Sequence, residues 1–99
     1  MNTNKKHCWT DEERKFISRC YIEEYVLKQN GISKDYFVVR MHCFLPKIKE
    51  SSILMFVENT KQLTREFGVR DCSNFSSLSN YSLAHKNVMT NLLKEYKLI

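Results

Sequence analysis

The side chains with the widest chemical range are three histidines and four cysteines. His7-Cys8 and His42-Cys43 stand as adjacent pairs, while Cys20, Cys72 and His85 stand alone. A zinc site usually takes two ligands two to four residues apart, so that one loop can reach one ion. No Cys-x-x-Cys is present, and neighbours such as His42 and Cys43 diverge on a helix. The spacing predicts no metal, and reduced thiols in a cytosol in place of a disulfide framework. Cys20 and Cys43 are expected as buried thiols. Gly31 and Gly68 stand alone, so no glycine-rich loop cradles a phosphate. Glu12-Glu13 and Glu23-Glu24 fall on expected solvent faces of a helix, the ordinary place for paired carboxylates. The chain therefore reads as a non-enzyme with no cofactor.

Charge carries the stronger signal. The formal charge is +5, with a pI near 9.1. Residues 33–70 hold seven basic side chains (Lys34, Arg40, Lys47, Lys49, Lys61, Arg65, Arg70) against four acidic ones (Asp35, Glu50, Glu58, Glu66). Each flank is only one charge positive. Nucleic acid, an acidic protein or a membrane surface could answer such a balance. Lys47, Lys49, Lys61 and Arg65 gather around Pro46 and the helix after it. Ser51 and Ser52 stand where a helix begins, and a helix start offers free amides and a positive dipole end to a phosphate.

These groups have to be positioned by a fold. A chain of 99 residues, 42% apolar, with one proline and two glycines, predicts one mostly helical domain. We expect a loose polar tail over residues 1–8 and a compact bundle of about four helices over 9–99, with a helix-turn-helix-like core. Thr10-Asp11-Glu12-Glu13 is a capping box opening a helix to about Gln29, ended by Asn30-Gly31. Ser33 caps a second helix, Lys34 to Leu45, in which Tyr36, Phe37, Met41, Phe44 and Leu45 keep the helical period. Phe37-Val38-Val39 would equally suit a short strand. Pro46 ends that helix. Ser51 or Ser52 caps a third, which stops at Gly68. Val69 to Asn80 reads as a loop. Ser82 caps a fourth helix, with Leu83, Val88, Met89, Leu92, Leu93 and Tyr96 inward. The expected core is Trp9, Phe16, Tyr21, Phe44, Ile53, Val57, Leu63, Leu92 and Tyr96. No run of about 20 apolar residues is present, so no membrane span is expected.

Three motifs add a resemblance. Trp9-Thr10 precedes an acidic first turn. Leu45-Pro46 leads into Ser52-Ile53-x-Met55-x-x-x-Asn59. Leu78-Ser79-Asn80-Tyr81-Ser82 precedes the last helix. In this order they resemble the small Myb/SANT-like helical domains of phage and mobile-element proteins, also found in front of some HNH-type nucleases. The resemblance implies a regulatory module that binds duplex DNA, with the third helix in the major groove and Lys47, Lys49, Ser51, Ser52, Lys61 and Arg65 on the backbone. Such domains usually carry an arginine in the loop and basic residues on the recognition helix. Here Leu54 and Phe56 occupy that helix, and neither side chain suits phosphate.

That departure defines a second expectation. The same scaffold could inhibit a host defence nuclease, as anti-CRISPR proteins do, with Leu54, Phe56 and Glu58 at the interface. Exposure of Leu54 and Phe56 discriminates the two. A monomer or a homodimer in the cytoplasm of a bacterial or host cell suits either.

Overall fold

The computed structural model describes residues 7–99. Among them the structure is all helical, a bundle of four helices: α1 (Asp11–Tyr21), continued by a π-helical segment (Ile22–Leu27), then α2 (Lys34–Phe44), α3 (Glu50–Glu66) and α4 (Leu83–Glu95). Most of the expected tail lies outside the described residues. Its end is held: the His7 ring abuts Trp9 and bonds the Glu13 carboxylate at 2.8 Å.

The caps explain most of the boundaries. Thr10 Oγ1 accepts from Glu13 N–H, and the Glu13 side chain accepts from Thr10 N–H, completing the capping box. Ser33 and Ser82 each accept from the amide three residues on. Gly68 ends α3 in the left-handed conformation, φ 73°. Two ends differ from expectation. The helix begun at Asp11 is not α-helical to Gln29. Its last turns widen, Lys28 N–H reaches Glu23 O, and Gln29, not Gly31, is the first left-handed residue, φ 51°. Helix α3 starts at Glu50 behind Lys49, with no side-chain cap. Neither Ser51 nor Ser52 caps it, because both already lie inside its first turn.

The widened segment has a packing reason. In an α-helix of 3.6 residues per turn, side chains four apart drift around the axis. A wider turn reverses that drift. Ile17, Tyr21 and Tyr25 therefore stay in one cluster, with Phe37, Met41, Ile53, Val57 and Phe75. Ile22 and Val26 stay in a second, with Leu63, Val88, Met89, Leu92 and Leu93. Helix α3 runs through both.

The core departs from the sequence reading at its edges. Tyr21, Ile53, Val57, Leu63 and Leu92 are buried, while Trp9, Phe16 and Tyr96 are half-buried. Phe44 is 60% exposed and Tyr36 58%, because α2 turns Phe37, Val38 and Met41 inward instead. Leu83 stands in the solvent at the start of α4. Cys43 is exposed and Cys20 half-buried, and all four thiols are free. Glu24 is buried, not solvated: it takes a hydrogen bond from Asn30 Nδ2 and faces Lys28 and Arg40. The segment before α4 is a loop without regular structure, yet it is packed down by Phe75, which is 4% exposed. No helix among the described residues is long and apolar enough to cross a membrane.

Candidate nucleic-acid interface

Helix α3 sorts the predicted residues onto different sides. Ser51, Leu54, Glu58, Lys61 and Arg65 follow the spacing three, four, three and four, which places them on one outward stripe. Lys47 and Lys49 lie just before it, exposed in the turn after Pro46. Ser52 does not join the stripe. With Met55 and Asn59 it lines a cleft toward the start of α4.

Phe56 is buried rather than exposed. It is 5% exposed, stacked on Trp9 with ring centroids 4.5 Å apart and on His85 at 3.8 Å. Leu54 is half-buried against the first cluster. The expected pair of exposed apolar anchors is therefore absent, because the inward side of α3 takes Phe56 together with Ile53, Val57 and Thr60.

Lys61 is already engaged. Its ammonium lies 2.6 Å from Asp71 Oδ1 and donates to Ser73 O at 3.1 Å. Asp71 also accepts from the Tyr21 hydroxyl at 3.0 Å and from Ser73 N–H at 3.1 Å. The Asp71 side chain is only 2% exposed. Burial, with the Asp71 charge adding to it, holds the Tyr21 hydroxyl well above the ordinary phenol range. This network closes the loop onto α1 and α3, so Lys61 cannot hold a phosphate without releasing a buried carboxylate.

What remains free brackets the helix. Lys47 and Lys49 before α3, and Arg65 and Arg70 at its far end, are exposed and enter no ion pair among the described residues. Among the described residues the Arg65 side chain donates only to the Ser77 hydroxyl, at 3.0 Å. Arg70 was not among the predicted contacts; its place in the basic stretch 33–70 was the available signal. The uncapped start of α3 leaves its first amides open beside Lys47 and Lys49. From Lys49 to Arg65 the helix rises about 24 Å at 1.5 Å per residue. Glu58 sits between the two basic ends.

No family model, curated protein or solved structure matches this chain significantly. The chemistry of the site is read from its own geometry.

His85 gives this region a pH dependence. Burial first, and the Arg14 charge second, push its pKa down from 6.5 to about 3. The fold thus holds it neutral, while the unfolded chain protonates it near its ordinary value. Between those values the unfolded state binds more protons. Stability is complete above pH 6.5 and falls as the pH drops toward 3, by up to about 1.4 kcal/mol per unit. Urea melts of wild type and His85→Gln across that window check this. The substitution should flatten the wild-type slope, and an equal slope in both would assign it to other groups.

Proposed function

We propose that this chain is a small non-enzymatic module that binds duplex DNA through phosphate contacts made from both ends of α3. The observation that carries the reading is the set of four exposed cations, Lys47, Lys49, Arg65 and Arg70, that bracket one helix and enter no ion pair among the described residues. A span of about 24 Å exceeds a major groove of about 12 Å, so the two ends reach toward the backbones on its two sides. The open amides of Glu50, Ser51 and Ser52 add donors at the Lys47–Lys49 end. Between the ends the stripe offers Ser51, Leu54 and Glu58, a poor set for reading bases. The binding is therefore weakly selective for sequence, and a regulatory role of phage or mobile-element type follows from the motif resemblance.

A gel shift on random duplex at two salt concentrations tests this. Binding should weaken steeply with salt. Lys47→Glu with Lys49→Glu should weaken it on every sequence alike and lower the salt slope by roughly two, at about 0.9 per lost phosphate contact. Arg65→Glu with Arg70→Glu should act in the same way from the other end. An unimpaired charge-reversal pair, or no binding at low salt, would defeat the proposal.

A second reading keeps a protein partner, such as a host nuclease, but moves the contact. With Phe56 buried, α2 carries the most exposed apolar side chains of any one helix, Tyr36, Val39 and Phe44, between about half and two thirds open. A partner retained after loss of DNA binding, and released by Tyr36→Ala with Phe44→Ala, would select it.

A further inference from the structure

We propose that the cleft between α3 and the start of α4, on the side of α3 away from the basic stripe, binds a planar heterocycle carrying an anionic group, of which a nucleoside monophosphate is the simplest example. The cleft encloses about 390 Å³, within the range of small-ligand sites. This inference does not rest on the duplex-binding reading: apart from Ser52, whose amide serves that reading and whose side chain lines the cleft, it uses different residues.

Two buried side chains present unused hydrogen-bonding atoms. Asn59 is 7% exposed; its Oδ1 accepts from Asn80 N–H at 2.8 Å, and its Nδ2 donates to no acceptor among the described residues. His85 is 3% exposed, and its tautomer follows from its partner. The single Thr60 hydroxyl proton goes to Phe56 O at 2.9 Å, so Thr60 Oγ1 must accept from His85 Nε2–H, also at 2.9 Å. That leaves His85 Nδ1 as a bare acceptor with no partner among the described residues. Neither atom is sealed off: among the described residues only Ser18 Oγ is both buried from solvent and unpartnered. Asn59 and His85 both line the cleft. A buried donor and a buried acceptor, each unpaired, match a ring edge bearing the complementary pair, as a nucleobase does.

The walls suit such a ligand. Trp9 and Phe56 supply a stacked aromatic flank. Among the described residues no carboxylate lines the cleft, and Arg14 does. Arg14 keeps one ion pair, to Asp11 at 2.7 Å, and its charge is still felt at His85. The start of α4 also opens here, with no acidic residue in its first turn to offset the helix dipole. The anionic group belongs at this end.

Trp9 is the single tryptophan, so its fluorescence reports on the cleft. Titrating the full chain with AMP, GMP, CMP and UMP should give saturable quenching with at least one. Asn59→Asp keeps the acceptor for Asn80 and removes the free donor; it should weaken binding tenfold or more. Ser52→Leu puts a bulkier side chain into the lining, at a hydroxyl without a partner among the described residues, and should do the same, which decides the matter if Asn59→Asp does not fold. Arg14→Gln should weaken the nucleotide and leave the corresponding nucleoside unchanged. Non-saturable quenching by all four nucleotides, or unaltered binding in both Asn59→Asp and Ser52→Leu, would overturn the site. A 5′-phosphorylated single-stranded oligonucleotide identifies the source: tighter binding than the mononucleotide assigns the cleft to a strand, equal or weaker binding to a free nucleotide.

Discussion

Phe56→Ala is expected to lower stability by about 3–5 kcal/mol, the usual cost of truncating a buried aromatic ring. The ring lies between Trp9 and His85, so its loss undoes two stacking contacts as well as emptying volume inside the first cluster. For a chain of this size the midpoint of a thermal melt should fall by roughly 15–25 °C. Circular dichroism of wild type and variant side by side measures it. An unchanged melt would return Phe56 to the surface and revive its role as a partner anchor. Met55→Ala, one residue away and exposed, is the control and should shift stability by no more than about 0.5 kcal/mol.

The second large effect concerns Lys61. Removing it leaves the Asp71 carboxylate buried without its counter-charge, which costs several kcal/mol when nothing else compensates. Tyr21 and the Ser73 amide still donate to that carboxylate, so the expected loss for Lys61→Ala sits at the low end, about 3 kcal/mol. Lys47→Ala and Lys49→Ala, at exposed positions without ion pairs, should each stay within about 0.5 kcal/mol. Urea denaturation of the three variants separates a structural lysine from two binding ones. Lys61→Met with Asp71→Asn should recover much of the loss, since no unpaired charge then remains. Equal stability of all three single variants would place Lys61 back among the free cations.

How much of this was legible in the sequence depends on the range of the interaction. The capping box at Thr10, the Ser33 and Ser82 caps and the break at Pro46 are local, and they placed four helices within a few residues. The apolar period placed Ile53, Val57 and Leu63 inside. What failed was set by distant partners. Tyr36 and Phe44 match the helical period as well as Val38 does; only the position of α3 decides which stripe of α2 turns in. Lys61 looks like any basic surface residue until the loop returns Asp71 to it. Phe75, in a serine-rich stretch, gave no periodic signal at all. The cleft was hidden for the same reason: Asn59 and His85 are 26 residues apart in sequence, and no motif joins them. The separation of Ser52 from Ser51 was readable, because adjacent residues on a helix point about 100° apart.

The widened turn at Ile22–Leu27 bears on how this chain should be aligned with any other. Shortening the segment by one residue could leave a regular α-helix with every backbone bond intact. The wide turn takes up one extra residue, so side chains beyond the segment would keep their directions, while those inside it, Tyr25 and Val26 among them, would be redistributed between the two clusters. A relative that lacks the wide turn is therefore expected to carry one residue fewer here and to keep its apolar pattern on the far side. A gap placed anywhere else along the helix would pair residues that face different neighbours. The spacing between the Trp9-Thr10 motif and Gly31 is thus a structural character of this chain, to be compared as a length before any residue in it is compared as a letter.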